Sequence, residues 1–549
     1  MQRSQSQVLR ETTLDYLAPY SPANHPDPFV IEAELLEQVQ MAFEMESALR
    51  PKGQKWQIPK SLAFSQIAEI IAKLYPVCRV ACVGENTEAD SDLLAIYQTD
   101  GPDEGIYVTS EDTFRNLARS FNYTLSSKEF NETMLALRDK VPRKTRCRDV
   151  DLVAVNNGIF NFRTKTLQPF SPDLVFLTKS KVNYNPNAIN QIIYNPDDKT
   201  DWDVESWMAS LSDDPEIVQL LWEILGAIIR PNVRWNKSAW FYSETGNNGK
   251  GTLCSLMRNL CGEGTYASIP IADFGKDFLL EPLTHASAVI VDENDVGTFV
   301  DKAANLKAVI TNDVIQINRK FKTPIAYQFF GFMVQCLNEM PRIKDKSESF
   351  YRRQLFVPFE KCFNGIERKY IKDDYLKRPV VLEYVLHKVL HMNYYTLSEP
   401  KACCDALDAY KEFNDPIRQF FDEMSSEFVW DLLPFGFLYD LYKAWFKKNS
   451  PSGSVQGRNT FINDLLTCIQ GRTDWMCEGR RIAIRPKKMM SNPEPLIINY
   501  ELDDWKSTSY RGNDPNLIAK PTLAASYNGL LRVEPITAVD DDNDDTFSC

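Results

Sequence analysis

The sequence predicts an α/β protein whose central domain has a mostly parallel sheet, preceded by an α/β region and followed by a small helical module. Three observations predict this fold class. Between residues 236 and 400, short apolar runs of strand length alternate with stretches of helical spacing, as in strands joined by crossover helices. A glycine- and asparagine-rich turn at 243–249 follows one apolar run directly and precedes a helical stretch. Beyond residue 401, three amphipathic helical patterns precede a segment that alternates basic and apolar residues.

The composition is that of a large globular chain. Its 549 residues are enough for roughly three to four domains of about 150 residues each. Apolar residues make up 44% and charged residues 25% of the chain, which are ordinary values for a globular protein. The sequence has no uncharged apolar run of about 18 residues and no apolar stretch near its start. We therefore expect a cytoplasmic protein without a membrane partner.

Charge and cysteine usage narrow the class further. The net charge of −13 argues against a protein that coats nucleic acid nonspecifically, although a local basic lining could still bind phosphates. Twelve cysteines without a C-x-x-C pair, and only four histidines, predict reduced thiols and no zinc site. Residues 540–545 carry five carboxylates in six positions. They predict a disordered tail with a solubility role favoured over partner binding.

A turn at residues 243–252 has the composition of a loop that binds phosphates. The apolar run 238–242 leads into it, and Gly246 and Gly249 let the backbone bend so that successive N–H groups point inward. Glu244 stands where the usual spacing has its first glycine, so an ordinary glycine-rich turn is the alternative. The downstream acids at the expected distances favour the phosphate loop.

Lys250 follows the loop and can reach the β- and γ-phosphates of a nucleoside triphosphate. The stretch from Thr252 to Leu260 reads as a helix whose positive end faces the anion. The residues expected to contact the nucleotide are Gly246, Asn247, Asn248, Gly249, Lys250, Gly251, Thr252 and Leu253. ATP is therefore the first ligand to consider.

A second apolar run, 288–291, ends in Asp292 and Glu293. A strand that brings two carboxylates to a phosphate loop supplies one acid for Mg²⁺ and another that orients or deprotonates water. We assign Asp292 to the metal and Glu293 to the general base. The alternative, an exposed strand end, does not need two adjacent acids after four apolar residues.

Two further polar groups follow in order. The apolar run 329–337 ends at Asn338, whose amide can hydrogen-bond the attacking water or the γ-phosphate. Arg352 and Arg353 then precede another apolar run. An arginine at this point suits a finger that reaches the γ-phosphate of a neighbouring subunit and offsets transition-state charge.

Through these residues the chain resembles the superfamily 3 helicases, in the primase-helicase branch of phages, plasmids and poxviruses. The resemblance spans roughly residues 150–510. The matching segments are 246–253, 289–293, 305–313, 318–322, 337–338 and 352–359, with 153–172 similar to the small domain that precedes the ATPase in that branch. It implies an AAA+-like P-loop core, a homo-hexameric ring, ATP and Mg²⁺, and movement 3′→5′ on single-stranded DNA. Within the arginine pair, it implies that Arg353, directly before the strand, is the finger.

One position departs from the usual motif. Gly251 stands directly after the lysine, where many phosphate loops carry the hydroxyl that binds Mg²⁺. Thr252 is the expected replacement, so Thr252 and Asp292 form the predicted metal site.

The segment 314–328 is the candidate DNA contact of the core. Apolar residues alternate there with Arg319, Lys320 and Lys322 before a Thr-Pro break, which predicts a hairpin with cations near its tip. In the helicases it resembles, such a hairpin projects into the channel of the ring, where six copies would line the pore with positive charge. The alternative is an amphipathic hairpin with a solvated face.

The C-terminal module is predicted to be winged-helix-like and to bind duplex DNA. Helices are expected at 415–424, 435–448 and 457–469, and a basic hairpin at 480–485. The expected DNA contacts are Arg458, Asn459, Arg480, Arg481 and Arg485. The alternative is a module that packs on the ring or binds a protein.

The predicted organisation has five parts. These are an N-terminal domain of unassigned role (1–149), the small domain (150–235), the helicase core (236–400), the winged-helix-like module (401–510) and the acidic tail (511–549). The sequence predicts an ATP-dependent replicative helicase of a phage, plasmid or genomic island that loads itself at an origin, with a separate primase or polymerase as an expected partner. Two alternatives stay open: an origin-binding initiator ATPase without processive unwinding, and a DNA-packaging or transport motor, which the basic hairpin and the winged-helix pattern disfavour.

Overall fold

The computed structural model describes residues 3–84, 92–295, 297–300, 302–320, 322–365, 368–449 and 455–533. Its contacts divide the chain into two compact units, Met1–Leu407 and Asp408–Cys549. Both units combine helices with sheets, so the fold class is mixed α/β. Among these described residues, none of the helices has the length and apolar character to cross a bilayer.

The N-terminal part of the first unit packs five helices against a four-stranded sheet. The helices are α1 (Gln5–Leu17), α2 (Pro28–Ala48), α3 (Phe64–Leu74), α4 (Glu111–Ser120) and α5 (Ser127–Lys140), and the strands are β1 (Val77–Ala81), β2 (Leu93–Tyr97), β3 (Tyr107–Val108) and β4 (Arg143–Thr145). Residues 29–50 and 61–75 have the apolar spacing of helices, and the structure forms α2 and α3 there. Residues 92–108 alternate apolar residues around Asp100-Gly101, the pattern of a hairpin, and β2 and β3 form an antiparallel pair there.

A connecting region follows, with small antiparallel sheets and two helices. Its elements are β5 (Leu152–Val155), β6 (Gly158–Asn161), β7 (Thr166–Gln168), β8 (Ile193–Asn195), β9 (Thr200–Trp202), α6 (Val204–Ala209) and α7 (Pro215–Ile229). Asp214 caps α7 by accepting from the Glu216 N–H at 2.8 Å, and Pro215 occupies the first helical position. Eleven residues of α7 are buried, so this helix belongs to the core rather than to the surface.

A five-stranded parallel sheet lies at the centre of the first unit. Its strands are β10 (Ser238–Tyr242), β11 (Tyr266–Ala267), β12 (Ala288–Val291), β16 (Phe332–Leu337) and β18 (Gln354–Pro358), in the spatial order β11-β12-β16-β10-β18. The apolar runs at 238–242 and 288–291 are confirmed as strands, and that at 329–337 is a strand from residue 332. Because all five strands are parallel, their carboxyl ends lie at one edge.

The remaining elements of this unit surround that sheet. They are α8 (Lys250–Cys261), β13 (Phe299–Val300), α9 (Ala304–Ile310), β14 (Val314–Arg319), β15 (Lys322–Gln328), β17 (Arg342–Ile343), α10 (Glu348–Tyr351), α11 (Lys369–Asp373), α12 (Pro379–His391) and α13 (Lys401–Asn414). Apolar side chains of α7, α8 and α12 form one core cluster with the sheet. The helix expected at 252–260 is confirmed by α8.

The second unit combines helices with a three-stranded antiparallel sheet. Its elements are α14 (Pro416–Met424), β19 (Leu432–Pro434), α15 (Phe435–Asn449), α16 (Arg458–Cys468), β20 (Trp475–Met476), α17 (Leu496–Asn499), α18 (Pro515–Ile518) and β21 (Gly529–Arg532). The strand order is β19-β21-β20. The three predicted helices are confirmed by α14, α15 and α16. Their core is rich in aromatic rings, including the buried Trp430, Trp445 and Trp475.

Two predictions for this unit are wrong. Residues 480–485 do not form a hairpin, since Ile484 makes only an isolated bridge with Tyr527 and the Arg480 side chain turns onto α16. Residues 511–533 are not part of a tail, because they include β21, the middle strand of the sheet. The apolar pair Leu530-Leu531 supplies this strand, whereas the acidic run 540–545 lies outside the described residues.

Candidate nucleotide-binding site

The loop 243–249 joins β10 to α8 at the carboxyl edge of the parallel sheet. Asn247 and Gly249 have positive φ values of 55° and 86°, and a Cβ at Gly249 would lie 2.7 Å from Leu211 Cδ2. Glycine is therefore required at 249. No side chain caps the start of α8, so the N–H groups of its first turn are available to an anion.

Lys250 is buried, with 5% of its surface exposed. Its Nζ donates to Leu337 O at 2.9 Å, to Asn338 Oδ1 at 2.9 Å and to Ser243 O at 3.3 Å. Burial lowers the pKa of Lys250. The structure thus brings the predicted loop lysine and the predicted strand-tip amide into direct contact.

Asp292 follows β12 at the same edge and forms a paired contact with Arg258. Arg258 Nη1 and Nη2 donate to the two carboxylate oxygens at 3.0 and 2.9 Å. These hydrogen bonds lower the pKa of Asp292. Arg258 was not predicted from the sequence, although it lies two turns after Lys250 on α8. Glu293, beside this pair, is exposed.

Asn294 is a second residue near the site that no pattern in the sequence indicated. It is buried, and its Nδ2 donates to Gln335 Oε1 and Cys336 O at 3.0 Å each. Its Oδ1 accepts from the Ile271 N–H at 3.0 Å. Asn294 therefore ties the segment after β12 to β16 and fixes the position of the preceding acids.

The predicted metal residues offer only oxygen ligands, the Asp292 carboxylate and the Thr252 hydroxyl. Mg²⁺ prefers oxygen and is commonly held by one or two carboxylates plus substrate phosphates. Among the described residues there is no cluster of three or more metal-ligating side chains. Thr252 lies half-buried in the first turn of α8. Arg258 already contacts both Asp292 oxygens, so a cation has to share or replace that contact.

A pocket of about 760 Å³ adjoins the loop. Asn247, Gly249 and Thr252 line it. Its other lining residues are distant from the loop in sequence and include Trp207, Leu211, Phe363, Ile371 and Lys372. The Phe363 N–H donates to Asn247 O at 2.8 Å, which fixes Phe363 against the loop. No local pattern in the sequence predicted these residues.

Arg353 directly precedes β18. It therefore lies at the amino edge of the parallel sheet, opposite the carboxyl edge that carries the loop. Its carbonyl accepts from the Ser238 N–H at 2.8 Å, at the first residue of β10, whereas the loop follows the last residue of β10. The length of that strand, roughly 15 Å at about 3.3 Å per residue, separates them. Arg353 Nη1 contacts Ser349 O and Oγ, and burial lowers its pKa. Arg352 is exposed.

The hairpin expected at 314–328 is confirmed by the antiparallel pair β14–β15. Arg319 Nε and Nη2 donate to Thr323 O at 3.2 and 3.0 Å across its end. Lys320 is exposed in the turn. The side chain of Lys322 lies outside the described part of the chain. The cations predicted at 319 and 320 therefore do lie at the tip.

The structure brings four of the five predicted DNA contacts of the second unit to one pocket. Arg458, Asn459, Arg480 and Arg481 line a cavity of about 840 Å³. Arg485, which is exposed, is not among its lining residues.

The ion pair between Arg258 and Asp292 gives a pH-dependent prediction. A carboxyl pKa that is lowered in the folded state stabilises the fold above the unfolded pKa of about 3.9, and this contribution is lost as pH falls through the folded pKa. Arg258→Gln should lower the free energy of unfolding at pH 7 by about 1 kcal/mol or less, because the Asp292 side chain is 41% exposed. In urea titrations the difference should shrink as the pH falls below the unfolded pKa of about 3.9.

Exposed Arg234 provides the matched control, Arg234→Gln. A difference between wild type and Arg258→Gln that grows on acidification would contradict the assigned direction of the Asp292 pKa.

Three family models match separate parts of the chain. The model described as "D5 N terminal like" matches residues 47–226, "Family of unknown function (DUF5906)" matches 241–353, and "Poxvirus D5 protein-like" matches 412–507. The first begins at residue 47, well before residue 150, where the resemblance seen in the sequence begins.

Individual relatives are distant. "Putative helicase 022R" of Frog virus 3 (isolate Goorha) is 24% identical over 266 residues, which cover 43% of this chain and 27% of that protein. The chain thus spans about a quarter of that relative's length. A solved structure of the NrS-1 C terminal region (305-718) is 12% identical with a TM-score of 0.38, covering 76% of this chain and 87% of that one. An A form apo structure of the same region has a TM-score of 0.36 at 12% identity, covering 81% and 95%.

Proposed function

We propose that this chain, which is of the phage and poxvirus primase-helicase type, is an ATP-dependent replicative DNA helicase of a phage, plasmid or genomic island. The observation that carries the proposal is the contact of Lys250 with Asn338 at 2.9 Å, at the same sheet edge as Asp292. A lysine, an amide and an acid around a loop with open N–H groups form a set suited to phosphoryl transfer to water.

The sheet supports an AAA+-like P-loop core. The loop follows β10, which lies between β16 and β18 although neither is its neighbour in sequence. In parallel α/β sheets, ligands bind beyond the carboxyl ends of the strands where the order changes direction. This position is where the triphosphate is proposed to lie.

In the proposed site each residue has one role. Lys250 and the N–H groups of the first turn of α8 bind the phosphates, and the base lies in the pocket lined by Trp207 and Phe363. Glu293 accepts the proton of the attacking water, and Asn338 orients that water or the γ-phosphate. Thr252 and Asp292 would hold Mg²⁺, which supplies positive charge to the phosphate oxygens when it is bound with ATP.

The position of Arg353 supports a ring of subunits. This arginine lies at the edge opposite its own loop, about a strand length from Lys250. It therefore suits the γ-phosphate of a neighbouring subunit better than its own. We propose a homo-hexamer with ATP between subunits, bound by Lys250 of one and Arg353 of the next.

The second unit supports a winged-helix-like DNA-binding module. Its elements follow in the order α14, β19, α15, α16, β20, α17, α18 and β21, and β20 and β21 are antiparallel. The strands that would form a wing are thus 475–476 and 529–532, rather than the segment 480–485. Through this module we propose that the protein loads at an origin.

The hairpin β14–β15 gives the first test of translocation. Lys320→Ala with Lys322→Ala is expected to abolish unwinding of a forked substrate while basal ATP hydrolysis stays largely intact, because the tip would contact the strand and not the nucleotide. Strand displacement and phosphate release are measured in parallel. The control is Lys52→Ala with Lys128→Ala, two exposed lysines of the N-terminal part. Loss of both activities in the hairpin variant would remove the DNA role of the tip.

The function as a whole is tested by ATP hydrolysis with and without single-stranded DNA, fork unwinding and light scattering. We expect hydrolysis stimulated by DNA, strand displacement, and a mass near six times the 63.1-kDa chain. Slow hydrolysis without strand displacement would favour an initiator ATPase that acts as an assembly switch. A monomer that hydrolyses no ATP with DNA present would overturn the proposal.

A further inference from the structure

The second unit contains an open cleft between α16 and the segment 477–528, which joins β20 to β21. The cleft has a volume of about 840 Å³, within the range of sites that enclose small ligands. We call it the arginine cleft. Its lining is Pro434, Phe435, Gly436, Arg458, Asn459, Ile462, Arg480, Arg481, Trp505, Ser526, Tyr527 and Asn528.

The sign of its charge is opposite to that of the whole chain. Three arginines and no carboxylate are among the lining residues, whereas the chain carries a net charge of −13. Among the described residues, the side chains of Arg458 and Arg481 are exposed and make no hydrogen bond or ion pair. Two uncompensated guanidinium groups in one concave surface attract an anion such as a phosphodiester.

Arg480 has a different role, since its guanidinium group hydrogen-bonds two side chains of α16. Its Nη2 donates to Asn459 Oδ1 at 2.9 Å and its Nη1 to Asn463 Oδ1 at 2.6 Å. These amides lie on the N-terminal half of α16, the part that reads base edges when such a helix enters a major groove. While Arg480 holds them, these two amide oxygens are not free to hydrogen-bond the edges of bases.

The aromatic wall of the cleft is rigidly held. The Trp505 indole N–H donates to Asp440 Oδ2 at 3.0 Å, and its ring packs edge-on against Phe437 at 5.4 Å. The Tyr527 ring lies 6.1 Å from it at 38°. An aromatic side chain fixed in this way can serve as a stacking platform for an unpaired base.

From these contacts we infer that the arginine cleft binds single-stranded DNA, with Arg458 and Arg481 on phosphates and Trp505 against a base. The inference rests on the proposed DNA function but changes its form for the second unit. Positive charge next to a stacking platform is the usual arrangement for an unpaired strand, whereas reading base edges in a duplex would need the α16 amides that Arg480 holds. The cleft would hold the strand before or after it passes the ring.

The test uses the full chain with Arg458→Gln and Arg481→Gln combined. Affinity for a 20-nucleotide oligothymidine and for a 20-base-pair duplex is measured by fluorescence anisotropy over a range of salt concentrations. We expect single-strand affinity to fall by 10-fold or more, and the slope of its logarithm against log salt to fall by about 1.4, for two phosphate contacts at about 0.7 each. Duplex affinity should change less than threefold. Arg511→Gln, at an exposed arginine of the second unit that does not line the cleft, is the matched control, and thermal unfolding checks the fold.

A second measurement tests the stacking. An oligonucleotide with 2-aminopurine should be quenched on binding, and Trp505→Leu should relieve the quench while Trp505→Phe keeps it. Unchanged single-strand affinity in the double arginine variant, or an equal loss for both DNA forms, would overturn the inference. If the chain hydrolyses ATP and unwinds forks in that case, the helicase proposal stands without it. A weakened single-strand affinity in a chain without ATPase activity would support the cleft and reject the helicase.

Discussion

Replacing Lys250 with methionine is expected to lower the rate of ATP hydrolysis by at least about 100-fold. The ammonium is the one cation of the loop, and loss of one preorganised group that stabilises transition-state charge costs about 10²–10³ in kcat. The fold should persist, because replacing a buried charge with an apolar side chain of similar volume is often neutral for stability. Phosphate release and the thermal midpoint are measured on the same sample.

Lys276→Met provides the control for this change. Lys276 is exposed and pairs with Asp273 at 2.7 Å, far from the loop in sequence. We expect its ATPase rate to stay within twofold of wild type. Hydrolysis by Lys250→Met within 10-fold of wild type, in a folded protein, would show that Lys250 does not bind the transferred phosphate.

Replacing Arg353 with alanine is expected to lower the ATPase rate by about 10³-fold or more, the usual contribution of an arginine finger. The reason is its position at the sheet edge opposite its own loop. A mixture of Arg353→Ala with Lys250→Met should regain part of the activity. In a mixed ring, some interfaces combine an intact lysine from one subunit with an intact arginine from its neighbour.

Arg352→Ala decides between the two adjacent arginines. Arg352 is exposed, whereas Arg353 is half-buried with Nη1 on Ser349. If Arg352→Ala loses the activity and Arg353→Ala keeps it, the finger is Arg352 and the assignment from the sequence is wrong. Absence of any recovery on mixing, with both variants assembled, would argue for a site within one subunit.

Much of the central sheet could be predicted because its signals are local. Each core strand is a short apolar run, and the polar residue after it lies at the carboxyl edge when the strands are parallel. Lys250, Asp292 and Asn338 each follow such a strand, and all three lie at that edge in the structure. The roles of Glu293, Thr252 and Arg353 stay predictions, since they depend on a nucleotide and on neighbouring subunits.

The rest of the site depends on contacts between residues far apart in sequence. In the sequence, nothing distinguishes Arg258 from any other cation of a helix. Its ion pair with Asp292 exists because β12 lies beside α8 in the fold. The local sequence around Trp207 and Phe363 does not distinguish them from residues of the apolar core. Both line one pocket only because the fold brings them together. In the second unit, the alternation of basic and apolar residues at 480–485 predicted a basic hairpin. In the structure, the Arg480 side chain instead donates to two amides of α16. The spacing of basic and apolar residues does not distinguish a hairpin from a segment whose arginine bonds to a neighbouring helix.

The middle strand of the second unit's sheet also sets the order in which that unit can be completed during synthesis. β19 and β20 emerge from the ribosome first, and both pair with β21 rather than with each other. Translation proceeds at about 5–20 residues per second. These two segments therefore have no strand to pair with for some seconds, until residues 529–532 are made. During that interval the nascent aromatic core lacks Leu530, so a chaperone that shields apolar surface would find its target there.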